Sequence, residues 1–203
     1  MSTSENSNVD RKKNASSMPQ PTVLLSGLAM AESARWHEGR LWFAHWGTGE
    51  IVAVDLNGKS EVITRHAPPA FGWSIDWLPD GHLLVTGKEL MRMEPDGSMV
   101  RHADLSRIAQ LGWNEIVVDG RGNIYVNSIN FGFLAGEPPQ SSLIALITPD
   151  GEARKVADDL SFPNGMVVTP DNATLIVSES FTGRLLAFDI ASDGSLSNRR
   201  VWA

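Results

Sequence analysis

Glu32, Asn114 and Asn164 carry side-chain oxygens at positions that could converge on one cation. Counting back eight residues from Gly81, Gly122 and Asn172 reaches Trp73, Asn114 and Asn164; counting back seven from Gly39, whose turn is one residue shorter, reaches Glu32. One carboxylate and two amide carbonyls are hard oxygen donors, the set a divalent cation such as Ca²⁺ or Mg²⁺ prefers. Trp73, at the same phase, is expected to form a wall of the adjoining substrate pocket. Each residue also has a local reading. Asn164 lies in Pro163-Asn164-Gly165, a turn signature by itself. Asn114 could satisfy loop amides, and Glu32 could be a solvated surface acid. Their shared phase is what joins them.

Other chemistries find no matching pattern. The histidines at 37, 45, 66, 82 and 102 form no helical i, i+4 pair and no metal-finger spacing. His45, in Phe43-Ala44-His45-Trp46, could face the same mouth or be a satisfied structural histidine. No Gly-x-Ser-x-Gly elbow or phosphate-cradling loop occurs, so neither a serine hydrolase nor a nucleotide enzyme is supported.

The element that must position the three oxygens is a repeat. WHEGRLWF from 36, WLPDGHLLV from 77, VDGRGNIYV from 118 and VTPDNATLIV from 168 each read as strand, tight turn, strand. Their turn residues Gly39, Gly81, Gly122 and Asn172 are spaced by 42, 41 and 50, the last interval absorbing an insertion over 130–140. Alternating apolar pairs such as Ile75 and Trp77 have the period of a half-buried strand. A second set of turns, Asn57-Gly58, Asp96-Gly97, Asp150-Gly151 and Asp193-Gly194, closes an outer hairpin in each unit. Four-stranded units at this period, without crossover helices, predict an all-β propeller with about four blades present; two packed sheets are the competing architecture. Helical periodicity is limited to one short turn within 104–111. Residues 1–20 are polar and read as a disordered extension, and 21–203 as the propeller domain.

Composition narrows the partners. The 203 residues are 42% hydrophobic and 20% charged, with a formal net charge of −7. That balance excludes a basic nucleic-acid footprint. With no cysteine there is neither a disulfide framework nor a thiolate metal site, which points to a cytoplasmic protein. No stretch is apolar and long enough for a membrane helix.

Glu32 with the 36–43 hairpin, Trp113-Asn114-Glu115 with Asp119 and Gly122, and Phe162-Pro163-Asn164-Gly165-Met166 with Pro170-Asp171 together resemble the SMP-30/gluconolactonase/luciferin-regenerating-enzyme family. The resemblance runs from about residue 22 to 203. It implies a six-bladed propeller of which this chain carries four blades, and one divalent cation at the channel: Ca²⁺ first, with Mg²⁺, Mn²⁺ or Zn²⁺ as alternatives. Glu32 and Asn164 would be direct ligands, and Asn114 a ligand or substrate contact. It also implies a further aspartate, both ligand and base, for which no residue here is a match. Gly112 stands where the family usually carries an arginine that contacts an acidic sugar, and Glu115 where an aspartate is common. Phe131 and Phe133 in the insertion are expected to line the pocket instead.

The expected activity is metal-dependent hydrolysis of a lactone or related ester, organophosphates included, by Lewis-acid polarisation of the carbonyl. The alternative from another class is a non-catalytic propeller that binds a partner while its ion is structural. Four blades in an open arc would leave two exposed sheet faces, through which the chain could form a homo-oligomer.

Overall fold

The computed structural model describes residues 20–65 and 72–203. Apart from Gln20, the extension expected over 1–20 lies outside the described residues, as does His66. The fold is a β-propeller of four antiparallel four-stranded blades. Blade 1 is β1 (Ala31–His37), β2 (Arg40–His45), β3 (Glu50–Val54) and β4 (Ser60–Arg65). Blade 2 is β5 (Ile75–Trp77), β6 (Leu83–Val85), β7 (Leu90–Met93) and β8 (Met99–Ala103). Blade 3 is β9 (Ile116–Val118), β10 (Ile124–Ser128), β11 (Ser142–Ile147) and β12 (Ala153–Leu160). Blade 4 is β13 (Pro163–Val168), β14 (Thr174–Glu179), β15 (Arg184–Ile190) and β16 (Leu196–Val201).

Within each blade every strand pairs with its sequence neighbour, through connections that are short except for the insertion between β10 and β11, and the tight-turn residues tolerate a left-handed backbone. Gly39, Gly81 and Gly122 have φ between +74° and +90°, and Asn172, the non-glycine equivalent, has φ +56°. Aspartates next to several turns accept backbone amides, as Asp119 does from Arg121 and Asn123 (2.8 and 2.9 Å).

Side-chain alternation assigns each face of a blade to one neighbour. In β10 and β11, Ile124, Val126, Ala145 and Ile147 pack toward Leu84 and Leu90 of blade 2. Their alternates Tyr125, Ile144 and Leu146 pack toward Leu175, Val177 and Leu186 of blade 4. Blade 3 is therefore apolar on both faces, and every residue of β10 and β11 is buried. Blades 1 and 2 meet through Trp42, Ala44, Trp73, Ile75 and Val85.

The outer blades differ. On the side of blade 1 away from blade 2, Phe43, Val52 and Val54 are buried against Leu24 and Leu25 of the incoming chain. On blade 4, Val167, Val201 and Trp202 are exposed. The insertion between β10 and β11 contains one 3₁₀ turn, Phe133–Ala135.

Candidate functional site

The start of each blade's first strand is held by the blade before it, in the same way three times. Trp46 Nε1, just beyond β2, donates to the Trp73 carbonyl (2.7 Å). Thr86 Oγ1, just beyond β6, donates to the Asn114 carbonyl (2.7 Å), and Asn127 Nδ2, in β10, donates to the Asn164 carbonyl (2.9 Å). Trp73, Asn114 and Asn164 thus share a backbone environment as well as a sequence phase. The donors fall on the correct face by alternation: Trp46 shares a face with Trp42 and Ala44, and Thr86 with Leu84. Thr86 and Asn127 also steady their own blades, accepting from the amides of Ser74 (2.7 Å) and Glu115 (3.2 Å).

These anchors orient the two asparagine amides. Asn114 Nδ2 donates across to the Pro163 carbonyl (3.4 Å), and Asn164 Nδ2 donates to Ser180 Oγ (3.4 Å). With both nitrogens tethered, the two Oδ1 atoms accept no hydrogen bond among the described residues and are available to a hard cation. Both residues are partly exposed, and Glu32 is exposed. Among the described residues no three His, Cys, Asp or Glu side chains gather as a metal group. The candidate set therefore depends on amide oxygens, and one carboxylate with two amides fits a hard divalent ion.

Glu32 and Asn164 lie inside strands, whereas Trp73 and Asn114 precede theirs by two residues. β1 and β13 continue past a register shift, between Glu32 and Arg35 and between Pro163 and Met166. Bulges of this kind re-aim side chains at sheet ends. Ser33, inside the first bulge at φ +55°, accepts from the Ile75 amide (3.0 Å) and is hydrogen-bonded to Ser74, which fixes the Glu32 segment to blade 2.

Trp73 is 1% exposed and packs in the core between blades 1 and 2. The wall expected of it is a core residue whose indole has no surface to offer a substrate. His45 is structural: its Nε2 accepts from the Ala29 amide (3.0 Å) and its Nδ1 is bonded to Thr48 Oγ1 (2.8 Å), so both ring nitrogens are engaged.

Deeper in the channel, Arg35 of blade 1 reaches Glu115 of blade 3 (3.1 Å) and the Ile116 carbonyl (3.0 Å). Between them, Asp76 of blade 2 accepts from the amides of Val118 (2.7 Å) and Trp77 (2.9 Å). Burial pushes the Asp76 carboxyl up to about 6, against the amide bonds and the Arg35 charge. Glu115, at the family's aspartate position, is thus committed to an internal ion pair.

Gly112 is closed to side chains. At φ +96°, a Cβ there would lie 2.8 Å from the Gly87 carbonyl, which already accepts from the Trp113 amide (2.6 Å). Beside Asn164, by contrast, stand four phenylalanines. Phe162 lies 4.6 Å from Phe181, 5.1 Å from Phe133 and 6.0 Å from Phe131, centroid to centroid.

Thr86, Asn127, Arg35 and Asp76 were not among the expected site residues. Thr86 and Asn127 had a readable signal: each is a polar residue five positions after its hairpin glycine, at the end of an otherwise apolar run.

A family model described as the SMP-30/Gluconolactonase/LRE-like region matches residues 30–203. Diisopropyl-fluorophosphatase of Loligo vulgaris is 27% identical over 177 residues, which is 76% of this chain and 55% of that protein. The structure of a gluconolactonase from Xanthomonas campestris superposes with a TM-score of 0.71 at 22% identity, covering 85% of this chain and 62% of the other. The calcium-binding protein regucalcin of Agrobacterium tumefaciens superposes with a TM-score of 0.68 at 20% identity, covering 85% and 59%. At these identities the superpositions establish the propeller fold. The chain spans between about half and two thirds of the length of these relatives.

Proposed function

The chain belongs to the SMP-30/gluconolactonase/LRE-like family, and we propose that it forms the channel mouth of a divalent-cation-dependent hydrolase of lactones or related esters. The observation that carries this reading is the threefold anchoring of Trp73, Asn114 and Asn164 by Trp46, Thr86 and Asn127. It gives residues of one sequence phase the same backbone environment, and among the described residues the Asn114 and Asn164 side-chain oxygens accept no hydrogen bond, which supports the reading. Glu32, on a bulged strand tied to blade 2 through Ser33, adds the negative charge a hard cation needs. The family's hydrolase members, a gluconolactonase and a diisopropyl-fluorophosphatase by name, support the reaction class.

In this reading Glu32, Asn114 and Asn164 hold the cation, Ca²⁺ first among the candidates, and Asn114 also faces the substrate. A cation held there supplies Lewis acidity to the carbonyl of a bound lactone or ester. The chain's own part is to hold the Asn114 and Asn164 amides by their nitrogens, so that their oxygens need little rearrangement during turnover. Trp73 supports the rim from within the core.

Calorimetric titration of the full 203-residue chain with Ca²⁺ tests the site, comparing wild type with Glu32→Ala and Asn164→Ala. Micromolar or tighter binding that both substitutions abolish supports it; binding that neither changes overturns it. Hydrolysis of γ-butyrolactone and phenyl acetate, with and without chelator, then tests the reaction. A bound ion that raises the melting temperature while no ester or lactone is cleaved would replace the hydrolase with the non-catalytic reading.

A further inference from the structure

The phenylalanine quartet is built from three separate segments. Phe131 and Phe133 come from the insertion after β10, Phe162 from the entry to β13, and Phe181 from the β14–β15 turn. Phe131 is 3% exposed and anchors the group, whereas Phe133 and Phe181 are 49% and 47% exposed. Leu134, beside them in sequence, is 66% exposed. Two aromatic rings held half-open on adjacent loops form a surface that water solvates poorly.

Its location is fixed by bonds to the candidate site. The Phe162 carbonyl accepts from the Ser180 amide (2.9 Å), and Ser180 Oγ accepts from Asn164 Nδ2. Phe162 and Phe181 therefore flank the asparagine that offers its oxygen to the cation. Phe162 itself has φ +56°, a left-handed conformation rare for a bulky side chain. The insertion is also ordered in advance. The Gly132 amide donates to Glu137 Oε2 (2.6 Å), the Glu137 amide returns to the Gly132 carbonyl (3.1 Å), and the Gly136 amide closes the 3₁₀ turn on Phe133 (3.0 Å). A loop tied down in this way loses little entropy when a ligand settles on it.

We propose that Phe133, Phe162 and Phe181 form an apolar subsite that takes the alkyl or aryl substituent of the substrate, so that the preferred lactones or esters are lipophilic rather than polyhydroxylated. Gly112 agrees with this from the other side, because the approach of the Gly87 carbonyl denies that position any side chain with which to hold an acidic substituent. The proposal rests on the hydrolase reading above for its substrate but not for its binding surface.

The test compares kcat/KM for γ-nonalactone, which carries a pentyl chain, with γ-butyrolactone, which carries none, in wild type, Phe133→Ser and Phe181→Ser. Each buried methylene contributes about 0.8 kcal/mol, roughly fourfold, so partial burial of the chain gives a preference of about tenfold or more. Both substitutions should reduce that ratio several-fold. In parallel, calorimetry with 2-pentylcyclopentanone, which cannot be hydrolysed, reads the subsite without turnover, and its affinity should fall several-fold in both variants. A ratio and an affinity that neither substitution moves would overturn the subsite, leaving the quartet as loop packing. Absence of hydrolysis together with phenylalanine-dependent ketone binding would keep the subsite and remove the hydrolase reading.

Discussion

Arg35 of blade 1 and Glu115 of blade 3 form an ion pair of 3.1 Å past the blade that separates them. Inner strands of a propeller converge on its axis, so charges on alternate blades come within reach of each other. Because Arg35 also donates to the Ile116 carbonyl, one side chain ties the strand that carries Glu32 to the strand after Asn114.

Loss of that side chain should be felt as a stranded charge. Glu115 is 7% exposed, and removing the partner of a largely buried carboxylate costs about 3–5 kcal/mol when burial is complete, somewhat less with Arg35 about a quarter exposed. Arg35→Met should therefore lower unfolding free energy by about 2–4 kcal/mol in urea titrations. The double variant Arg35→Met, Glu115→Gln should recover part of the loss. Strictly additive single losses would show that the pair is not coupled.

Asp76 makes stability depend on pH in the sense opposite to most surface carboxylates. Its folded value near 6 lies above the unfolded value of about 3.9. Between those values the native state keeps a proton that the unfolded state has released, so stability falls as pH rises from about 4 to 6. The full effect, at about 1.4 kcal/mol per unit, is about 3 kcal/mol at most. Unfolding of wild type and Asp76→Asn at pH 4.5, 5.5, 6.5 and 7.5 isolates it: wild type should lose ground to the variant as pH rises. A pH-independent difference would refute the assignment.

What could be read from the residues was whatever local chemistry dictates. Asn57-Gly58, Asp96-Gly97, Asp150-Gly151 and Asp193-Gly194 mark the outer turns because few other residue pairs accept the left-handed backbone, and with the apolar alternation they place all four blades. The phase of Asn114 and Asn164 followed from the same count. What escaped depends on distant partners. The bulge at Ser33 exists beside an Ile75 amide 42 residues away. The indole of Trp73 turns into the core because Trp42 and Ile75 surround it. Arg35 and Asp76 look like ordinary strand-surface charges until the third blade is in place.

Two outer-turn glycines with nearly the same backbone separate strain from crowding. Gly97 has φ +82° and a Cβ there would meet nothing within 4 Å. Gly194 has φ +79°, but its Cβ would lie 2.8 Å from a Leu146 methyl, and its carbonyl accepts from the Tyr125 hydroxyl (2.9 Å). Gly97→Ala should destabilise by about 1 kcal/mol from the left-handed conformation alone. Gly194→Ala adds overpacking of a buried leucine and should cost about 2–4 kcal/mol. Equal shifts in thermal midpoint would mean that the Leu146 contact relaxes without penalty.

Asn127 tests whether the candidate site is tuned from behind. It is fully buried, and its amide spans the site: Oδ1 accepts from the Glu115 amide while Nδ2 donates to the Asn164 carbonyl. Groups that orient ligands without touching the ion commonly change metal affinity by about 10–100-fold. Asn127→Ala should therefore weaken Ca²⁺ binding within that range, although it removes no ligand. It also leaves buried polar groups without partners, at a cost of about 1–3 kcal/mol, so a general loss of stability has to be separated from misdirected ligands. Tyr125→Phe supplies the control: it removes a hydrogen bond from the same strand and the same face, one made to the Gly194 carbonyl of an outer turn and not to a candidate ligand. If cation affinity falls in Asn127→Ala and holds in Tyr125→Phe, the rim is set by its second-strand anchor. If the two variants lose affinity in proportion to their stability, Asn127 contributes only packing, and the threefold pattern of Trp46, Thr86 and Asn127 is a device for joining blades rather than for aiming oxygens.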